Sequence, residues 1–210
     1  MPNWCNNSIT LRGTDQQQVQ RLADAFKRGE FCDAVIPVPQ DLKDTMAGSY
    51  GDSDKQAELE RKTAENIKKY GAGNWYDFCT SRWGTKWDVG DEHGIEMDED
   101  GLGFRASFDS AWAPPVGIYE QLLEDGYEVM ATYYEPGMGF VGRWDNGYDD
   151  YFELSGLNSN TVRDEIGDDL DDEYGISESM AEYEAEEEEE LTAWVKDGVE
   201  QNNKLKLEGA

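Results

Sequence analysis

The 210-residue sequence contains seven Trp, eleven Tyr and seven Phe, enough apolar material for one sizeable core, which excludes a wholly disordered chain. Its 47 acidic and 18 basic residues give a formal charge of -29 at pH 7. Because such a charge repels phosphate backbones and anionic lipid headgroups alike, we expect no direct binding to nucleic acids or membranes.

The three cysteines indicate a reducing compartment. They are Cys5, Cys32 and Cys79, and their odd number and wide spacing argue against a disulfide framework or a C-x-x-C pair. The start of the sequence lacks the basic and apolar regions of a secretory signal, and no apolar run approaches the length of a membrane span. We therefore expect the protein in the cytosol of its host cell.

A strand followed by a helix is predicted at the start of the chain. Residues 4–12 alternate in polarity, which predicts a strand that ends at Gly13. Thr14 and Gln17 have the spacing of a capping box and predict the start of a helix with a regular apolar stripe. Gly29 is suited to close that helix in a left-handed conformation.

The next segments predict a mainly helical insertion. Residues 35–39 read as a short strand segment before it. Residues 53–70 carry Glu and Lys four positions apart but few apolar side chains, which predicts a solvent-facing helix. Trp75, Phe78 and Cys79 share one helical face and predict a second helix, so the insertion covers about residues 53–82.

Turn signals divide the following residues into strands and one helix. Asp100-Gly101 predicts a hairpin between residues 95–97 and 102–108, and Asn146-Gly147 predicts another between 138–144 and 148–154. Pro114-Pro115 predicts a helix start, and a strand over 127–134 follows that helix. The element order predicts an α+β fold over residues 1–155, a ferredoxin-like antiparallel sheet with helices on one face.

The composition changes after residue 155. Residues 164–190 contain 15 acidic and no basic residues, and residues 164–210 carry a net charge of -15 against -14 for the first 163. Thr161 and Ser177 are suited to cap helices, and the sequence offers apolar anchors at Val162, Ile166, Leu170, Leu191, Trp194 and Val195. We predict an acidic, helical C-terminal extension over residues 156–210. A disordered tail is the alternative, because adjacent glutamates repel one another.

Four local motifs appear in order along the first part of the chain. They are Met1-Pro2-Asn3-Trp4-Cys5 with Asn7, Trp83-Gly84-Thr85-Lys86-Trp87, Phe108-Asp109-Ser110-Ala111-Trp112-Ala113-Pro114-Pro115, and Tyr134-Glu135-Pro136-Gly137 with Phe140 and Gly142. Together they resemble the YubB-like ferredoxin-like family, over about residues 1–155. The resemblance implies the fold and an accessory protein carried by a plasmid or bacteriophage, and it implies no particular reaction.

The motifs that signal cofactor or metal chemistry are incomplete. Gly137, Gly139 and Gly142 match G-x-G-x-x-G, but a strand rather than a helix is predicted after them, so we expect no nucleotide cofactor. His93 is the single histidine, predicted to lie in an exposed loop, and no nucleophile motif accompanies it. The acidic groups at 98–101 and 169–173 depart from a calcium-loop pattern, so we expect no metal site.

The aromatic motifs allow two interpretations. Core packing is the favoured one, because aromatic side chains dominate small cores. The alternative is a binding protein or enzyme whose pocket combines a polar Lys–Asp pair with aromatic walls. Its residues are Trp4, Trp83, Lys86, Asp109 and Trp112.

The charge pattern carries our main functional prediction. We expect a non-enzymatic inhibitor, an anti-defence or host-takeover protein, whose carboxylates stand in for DNA phosphates on a basic host partner such as a nuclease. Adaptation to high salt is a further alternative, but ten of the 18 basic residues are Lys and the charge is concentrated terminally. The predicted partner-binding carboxylates are Asp164, Glu165, Asp168, Asp169, Asp171, Asp172, Glu173, Glu182, Glu186, Glu187 and Glu190.

Overall fold

Six antiparallel strands form one open sheet. The computed structural model describes residues 3–90 and 94–208, with side chains as far as residue 196; Met1-Pro2 of the first motif and His93 lie outside the described residues. The strands are β1 (Trp4–Arg12), β2 (Ile95–Met97), β3 (Gly103–Ala111), β4 (Glu128–Glu135), β5 (Phe140–Asp145) and β6 (Tyr148–Glu153). Their order across the sheet is β2-β3-β1-β4-β5-β6. The predicted α+β class is confirmed.

Alternation along the strands gives the sheet one buried face. In the central strand β1, Ile9 lies opposite Ala106 of β3 and Ala131 of β4. These residues are buried, while Asn6, Ser8 and Thr10, which alternate with the buried residues along β1, are at least partly exposed. Successive side chains in a strand alternate between faces, so the predicted pattern of β1 and β3 is confirmed.

Helices cover the buried face of the sheet. The first 153 residues contain α1 (Gln16–Lys27), α2 (Phe31–Val35), α3 (Gln40–Lys43), α4 (Ser53–Tyr70), α5 (Trp75–Arg82) and α6 (Val116–Glu124). Phe26 of α1, Phe31 of α2 and Tyr119 of α6 are buried in the core with strand residues such as Phe104. The helices predicted over 53–70 and from Trp75 are confirmed.

Two local predictions were wrong. Thr14 does not cap α1; the carboxylate of Asp15 accepts the backbone N–H groups of Gln17 and Gln18 instead. A carboxylate at this position satisfies two free helix donors, which is why Asp is as good a cap as Ser or Thr. Residues 35–39 form no strand, because two of them are prolines, which lack the N–H that a ladder requires.

The residues from Leu154 onward form a second compact unit. Its helices are α7 (Val162–Ile166), α8 (Asp168–Tyr174) and α9 (Ile176–Glu208). Val162, Ile166, Leu170 and Ile176 are its buried apolar residues, together with Leu154. Among the described residues, no helix has both the length and the apolar composition needed to cross a membrane.

Candidate functional site

A lysine surrounded by aromatic rings is the most developed polar feature of the first unit. The Nζ atom of Lys86 lies 4.5 Å from the ring centroid of Trp87, 5.0 Å from Trp112 and 5.8 Å from Tyr76. Trp4 extends the group, with its ring centroid 5.9 Å from that of Trp87. We call these five residues the aromatic–lysine site. Ammonium groups at such distances are attracted by the negative faces of the rings.

Buried hydrogen bonds hold the two segments of this site together. The Oγ1 atom of Thr85 donates to the carbonyl of Ala111 and accepts from its N–H, both at 3.0 Å. Thr85 is 1% exposed. These bonds fix Lys86 and Trp112, the residues that follow Thr85 and Ala111, side by side at the surface.

Close backbone contacts reinforce the same junction. Gly117 donates its N–H to the carbonyl of Trp83 at 3.1 Å, and its α-carbon lies against the carbonyl of Arg82 with no room for a Cβ. Gly84 has a φ of 91° and packs against the carbonyl of Pro114. The loop before Lys86 therefore packs directly against the start of α6.

Trp112 has an unusual backbone conformation. Its φ is 73°, in the left-handed region where a bulky side chain is strained. Its N–H donates to the carbonyl of Asn3 at 2.9 Å, and its side chain remains 39% exposed. Strain of this kind persists where the surrounding structure imposes it, and it concentrates at functional sites.

A cleft of about 470 Å³ adjoins the aromatic–lysine site. Its lining combines Lys86, Trp87, Trp75 and Trp83 with a second lysine, three carboxylates and two small apolar residues, namely Lys43, Glu30, Asp33, Asp88, Val38 and Cys79. Asp88 accepts the N–H groups at positions 32, 33 and 89, which ties this part of the cleft to the start of α2. Burial raises the pKa of Asp88, and these three hydrogen bonds oppose that shift.

The structure brings together only part of the pocket predicted from sequence. Trp4, Lys86 and Trp112 lie at one surface, but Trp83 is buried and donates its indole N–H to the carbonyl of Ile36 at 2.9 Å. The predicted pairing of Lys86 with Asp109 was wrong, because Asp109 accepts from the side chain of Asn6 at 2.7 Å. The preference for core packing holds for Trp83, whereas Trp87 and Trp112 are exposed.

Sequence reasoning missed Tyr76 as a member of the site. Tyr76 lies on α5, and its ring contacts that of Trp112 edge-on with centroids 6.1 Å apart. The signal available in the sequence was the Trp75-Tyr76 pair at the start of a helix whose buried face needs only Trp75, Phe78 and Cys79. Tyr76 lies outside that face, so core packing does not explain why this position is aromatic.

The cysteines do not have the properties of nucleophiles. All three are free and buried. Burial raises the pKa of the Cys5 and Cys79 thiols to about 12, and it raises the pKa of Cys32 as well. Thiols with such pKa values remain protonated at neutral pH, and the thiolate is the reactive form.

Three of the acidic residues considered for calcium form ion pairs with arginines. Asp98 and Asp100 both pair with Arg12. Asp171 pairs with Arg163 at 3.0 Å. Among the described residues, no group of three His, Cys, Asp or Glu side chains has the arrangement of a metal site.

The second unit carries a dense run of carboxylates distributed around α9. Seven of the nine residues from Glu182 to Glu190 are glutamates, and six of these seven are exposed. Nine helical residues extend about 13 Å, so the charges follow one another at about 2 Å along the axis. Glu184 is the half-buried member, and its carboxylate accepts from the N–H and the hydroxyl of Ser159.

Three of the carboxylates predicted to face a partner are engaged by one arginine. Arg163 pairs with Asp168, Asp171 and Asp172 at 2.6, 3.0 and 2.8 Å. Asp171 is only 2% exposed and also accepts the N–H and hydroxyl of Ser177. Asp171 is therefore a structural residue, and its inclusion in the partner surface was wrong. Asp164, Glu165, Asp169, Glu173, Glu182, Glu186, Glu187 and Glu190 have exposed side chains.

The roles predicted for two capping residues also change. Ser177 lies within the first turn of α9, and the cap of that turn is the buried carboxylate of Asp171. The side chain of Thr161 makes no capping bond to α7 and accepts from the N–H of Asn158 instead. A carboxylate near a helix start is favourable because it accepts free N–H groups and complements the positive end of the helix.

The apolar residues near the end of α9 are exposed rather than anchored. Tyr183, Leu191, Trp194 and Val195 are between 50% and 75% exposed, with Trp194 the most exposed. The prediction of Leu191, Trp194 and Val195 as docked anchors was wrong, whereas the predicted anchors Val162, Ile166 and Leu170 are buried.

Comparisons with known proteins place few limits on function. The chain matches no family model and none of the curated proteins. Among solved structures, it is similar to the crystal structure of protein api92 from Yersinia pseudotuberculosis, which carries the family designation DUF1281. The match covers 73% of this chain and 98% of that chain, with 13% sequence identity and a TM-score of 0.37. No conclusion about fold or function rests on a likeness this distant.

Proposed function

We propose that this protein is a non-enzymatic inhibitor, encoded by a phage or plasmid, that binds a basic DNA-handling protein of its host by imitating DNA. The observation that carries the proposal is the spacing of carboxylates on α9. Duplex DNA carries one negative charge per about 1.7 Å of its axis. The glutamates between Glu182 and Glu190 follow at about 2 Å, so α9 offers a similar charge density to a surface that binds phosphates.

The total charge of the molecule supports the same role. With a formal charge of -29, the protein attracts basic surfaces over long distances and accelerates its encounter with them. Such association weakens as salt screens the charges. The anti-defence role and the cytosolic location follow from this proposal and from the mobile-element setting that the family resemblance implies.

We further propose that the first unit is a ferredoxin-like scaffold. The order β2-β3-β1-β4, with helices between β1 and β2 and between β3 and β4, follows the β-α-β-β-α-β pattern of that fold. On this proposal β5 and β6 are a hairpin added at one edge. The acidic second unit is then the part that gives the scaffold its partner.

A charge-neutralising variant tests the inhibitor role. Glu182, Glu186, Glu187 and Glu190 are replaced by Gln, and a control replaces four exposed glutamates of the first unit, Glu99, Glu120, Glu124 and Glu128. Both variants change the net charge equally. Each protein is used at low salt to capture partners from bacterial lysate, and captured proteins are tested for release by duplex DNA.

The proposal predicts a DNA-binding partner that duplex DNA displaces from the wild type and the control, and that the helix variant fails to retain. Capture of no DNA-binding protein contradicts it. Equal loss in both variants also contradicts it, because the net charge rather than α9 would then govern binding.

Ligand binding by the first unit is a second candidate function. The observation that favours it is the aromatic–lysine site, in which Lys86 is held by ring faces beside a cleft of about 470 Å³. Clefts of this size are typical of small-molecule sites. The buried, protonated cysteines give no support to thiol catalysis, so we propose binding rather than reaction.

A further inference from the structure

We propose that the aromatic–lysine site binds a small flat aromatic anion, whose ring stacks on the exposed tryptophans and whose carboxylate or phosphate meets the ammonium of Lys86. This inference rests on the second candidate function and names its ligand class. It is independent of the acidic helix.

The surroundings of Lys86 favour an anionic oxygen as the hydrogen-bond acceptor for its ammonium group. Among the described residues, Lys27, Lys43, Lys62 and Lys69 each form an ion pair with a carboxylate, whereas Lys86, like Lys55 and Lys68, forms none and has three aromatic rings beside its ammonium instead. An ammonium has three N–H donors, and ring faces stabilise its charge without offering an oxygen acceptor. A carboxylate or phosphate oxygen supplies that acceptor.

The surface around Lys86 favours a ligand with a flat aromatic ring. Trp4, Trp87 and Trp112 are 45%, 38% and 39% exposed, which is unusual for three tryptophans within one cluster. Aromatic rings stack on such exposed faces with offset or edge-on geometry. The cleft beside Trp87 has room for a ligand of this size.

The aromatic–lysine site is also preformed before any ligand binds. Thr85 binds both backbone groups of Ala111, and the N–H of Trp112, whose φ is 73°, donates to the carbonyl of Asn3. Packing alone gives no reason to hold a strained tryptophan at the surface. A preformed site loses less conformational freedom when it binds, so a strained but rigid Trp112 favours recognition.

The charge of the protein limits the ligand to a small one. A formal charge of -29 repels nucleic acid strands, whose many phosphates would each add to the repulsion. A molecule with a single anionic group is repelled much less by the protein's negative charge, and the attraction of one ammonium group can offset that repulsion. Both aromatic carboxylates and nucleoside monophosphates meet these requirements.

The test is isothermal titration calorimetry with the full chain and two matched ligand pairs. One pair is adenosine 5′-monophosphate and adenosine, and the other is indole-3-carboxylate and indole. We expect at least one anion to bind saturably and its uncharged counterpart to bind weaker by about tenfold or more. The pair that responds identifies phosphate or carboxylate as the anionic group.

Variants place the binding at the site. Lys86→Gln is expected to weaken the anion by about tenfold or more, while Lys62→Gln, at a lysine paired with Glu58, leaves the affinity unchanged. Trp112→Asn removes the indole and keeps a residue that tolerates positive φ, and it is expected to abolish binding. Unchanged melting temperatures confirm that the variants are folded.

Three outcomes overturn the inference. They are no binding of either anion at millimolar concentration, equal binding of the uncharged partner, and unchanged affinity in Lys86→Gln. If an uncharged ligand binds saturably and Trp112→Asn abolishes it, the ligand-binding function stands while the aromatic anion is wrong. If adenosine and indole fail to bind as well, both the ligand-binding function and the aromatic anion are wrong.

Discussion

Thr85 shows how one side chain positions the aromatic–lysine site. Its hydroxyl satisfies both the N–H and the carbonyl of Ala111 in a place that water does not reach. A buried backbone group without a partner costs far more than its hydrogen bond contributes when made. Thr85 therefore stabilises the fold and fixes the neighbours Lys86 and Trp112 with the same two bonds.

Thr85→Val should be strongly destabilising although it preserves shape. The two buried backbone groups of Ala111 lose their partner, so we expect the free energy of unfolding to fall by about 3 kcal/mol. Urea unfolding followed by tryptophan fluorescence measures this. Thr85→Ser keeps the hydroxyl and loses one methyl, for a cost of about 1 kcal/mol. Equal costs for the two variants would contradict this account of the hydroxyl.

At the residue scale, the sequence indicated which residues belong to the site but not which contacts they make. Three separate motifs drew attention to Trp4, Lys86 and Trp112, but they also suggested a pair between Lys86 and Asp109, whereas Asp109 accepts a hydrogen bond from Asn6. Trp83 and Trp87 lie four positions apart in the same motif, yet Trp83 is buried and Trp87 is exposed. Burial depends on packing against distant segments, which a local pattern does not contain.

The beginning of α9 is held by two carboxylates. Burial by itself raises the pKa of Asp171, but hydrogen bonds from Ser177 and the charge of Arg163 outweigh burial and hold that pKa below its ordinary value. Hydrogen bonds from Ser159 likewise lower the pKa of Glu184. Both groups therefore favour the folded second unit when they are ionised.

Acid should weaken the second unit through these two groups. A carboxyl group with a lowered folded pKa stabilises the fold above its unfolded pKa, near 4, and this contribution is lost as the pH falls through the folded value. We expect resistance to urea, followed by helix circular dichroism, to fall below about pH 4. Asp171→Asn together with Ser159→Ala should flatten this dependence.

Asp164→Asn is the matched control for that experiment, because Asp164 is an exposed acid on α7. It should leave the pH dependence unchanged. An unchanged pH dependence in the double variant would show that other carboxylates govern the acid response.

At the element scale, periodicity and turn chemistry located most helices and strands. The bounds of α4 follow its Glu–Lys spacing, and Asn146-Gly147 forms the turn between β5 and β6 with positive φ at both residues. Residues 35–39 were misread because short apolar runs fit a strand or a loop equally well. The sequence pattern also failed to show that the apolar residues of α9 are exposed, because their spacing resembles that of a buried apolar stripe.

The two units share the negative charge almost equally, but they use it differently. The first unit interleaves its acids with bases, as in the pairs of Arg12 with Asp98 and of Lys69 with Asp41. In the second unit, Arg163 is the one basic residue between Leu154 and Glu190. Charge repulsion is therefore least compensated on α9.

Moderate salt should stabilise the whole protein. Screening lengths fall to about 8 Å at physiological ionic strength, so repulsion within a chain of charge -29 is reduced early in a salt titration. We expect the melting temperature to rise between 10 mM and about 150 mM NaCl and then to level off. Differential scanning calorimetry measures this. A rise that continues to molar NaCl would favour adaptation to high salt instead.

The sequence by itself determined the α+β class, the order of the main strands and helices, and the concentration of acids after residue 163. These follow from neighbours within a few positions, where polarity period, turn residues and charge act locally. The tertiary structure decided which aromatic rings surround Lys86, which carboxylates pair with Arg163, and where Trp112 is strained. Those outcomes depend on segments that meet only on folding, such as Thr85 and Ala111, 26 positions apart.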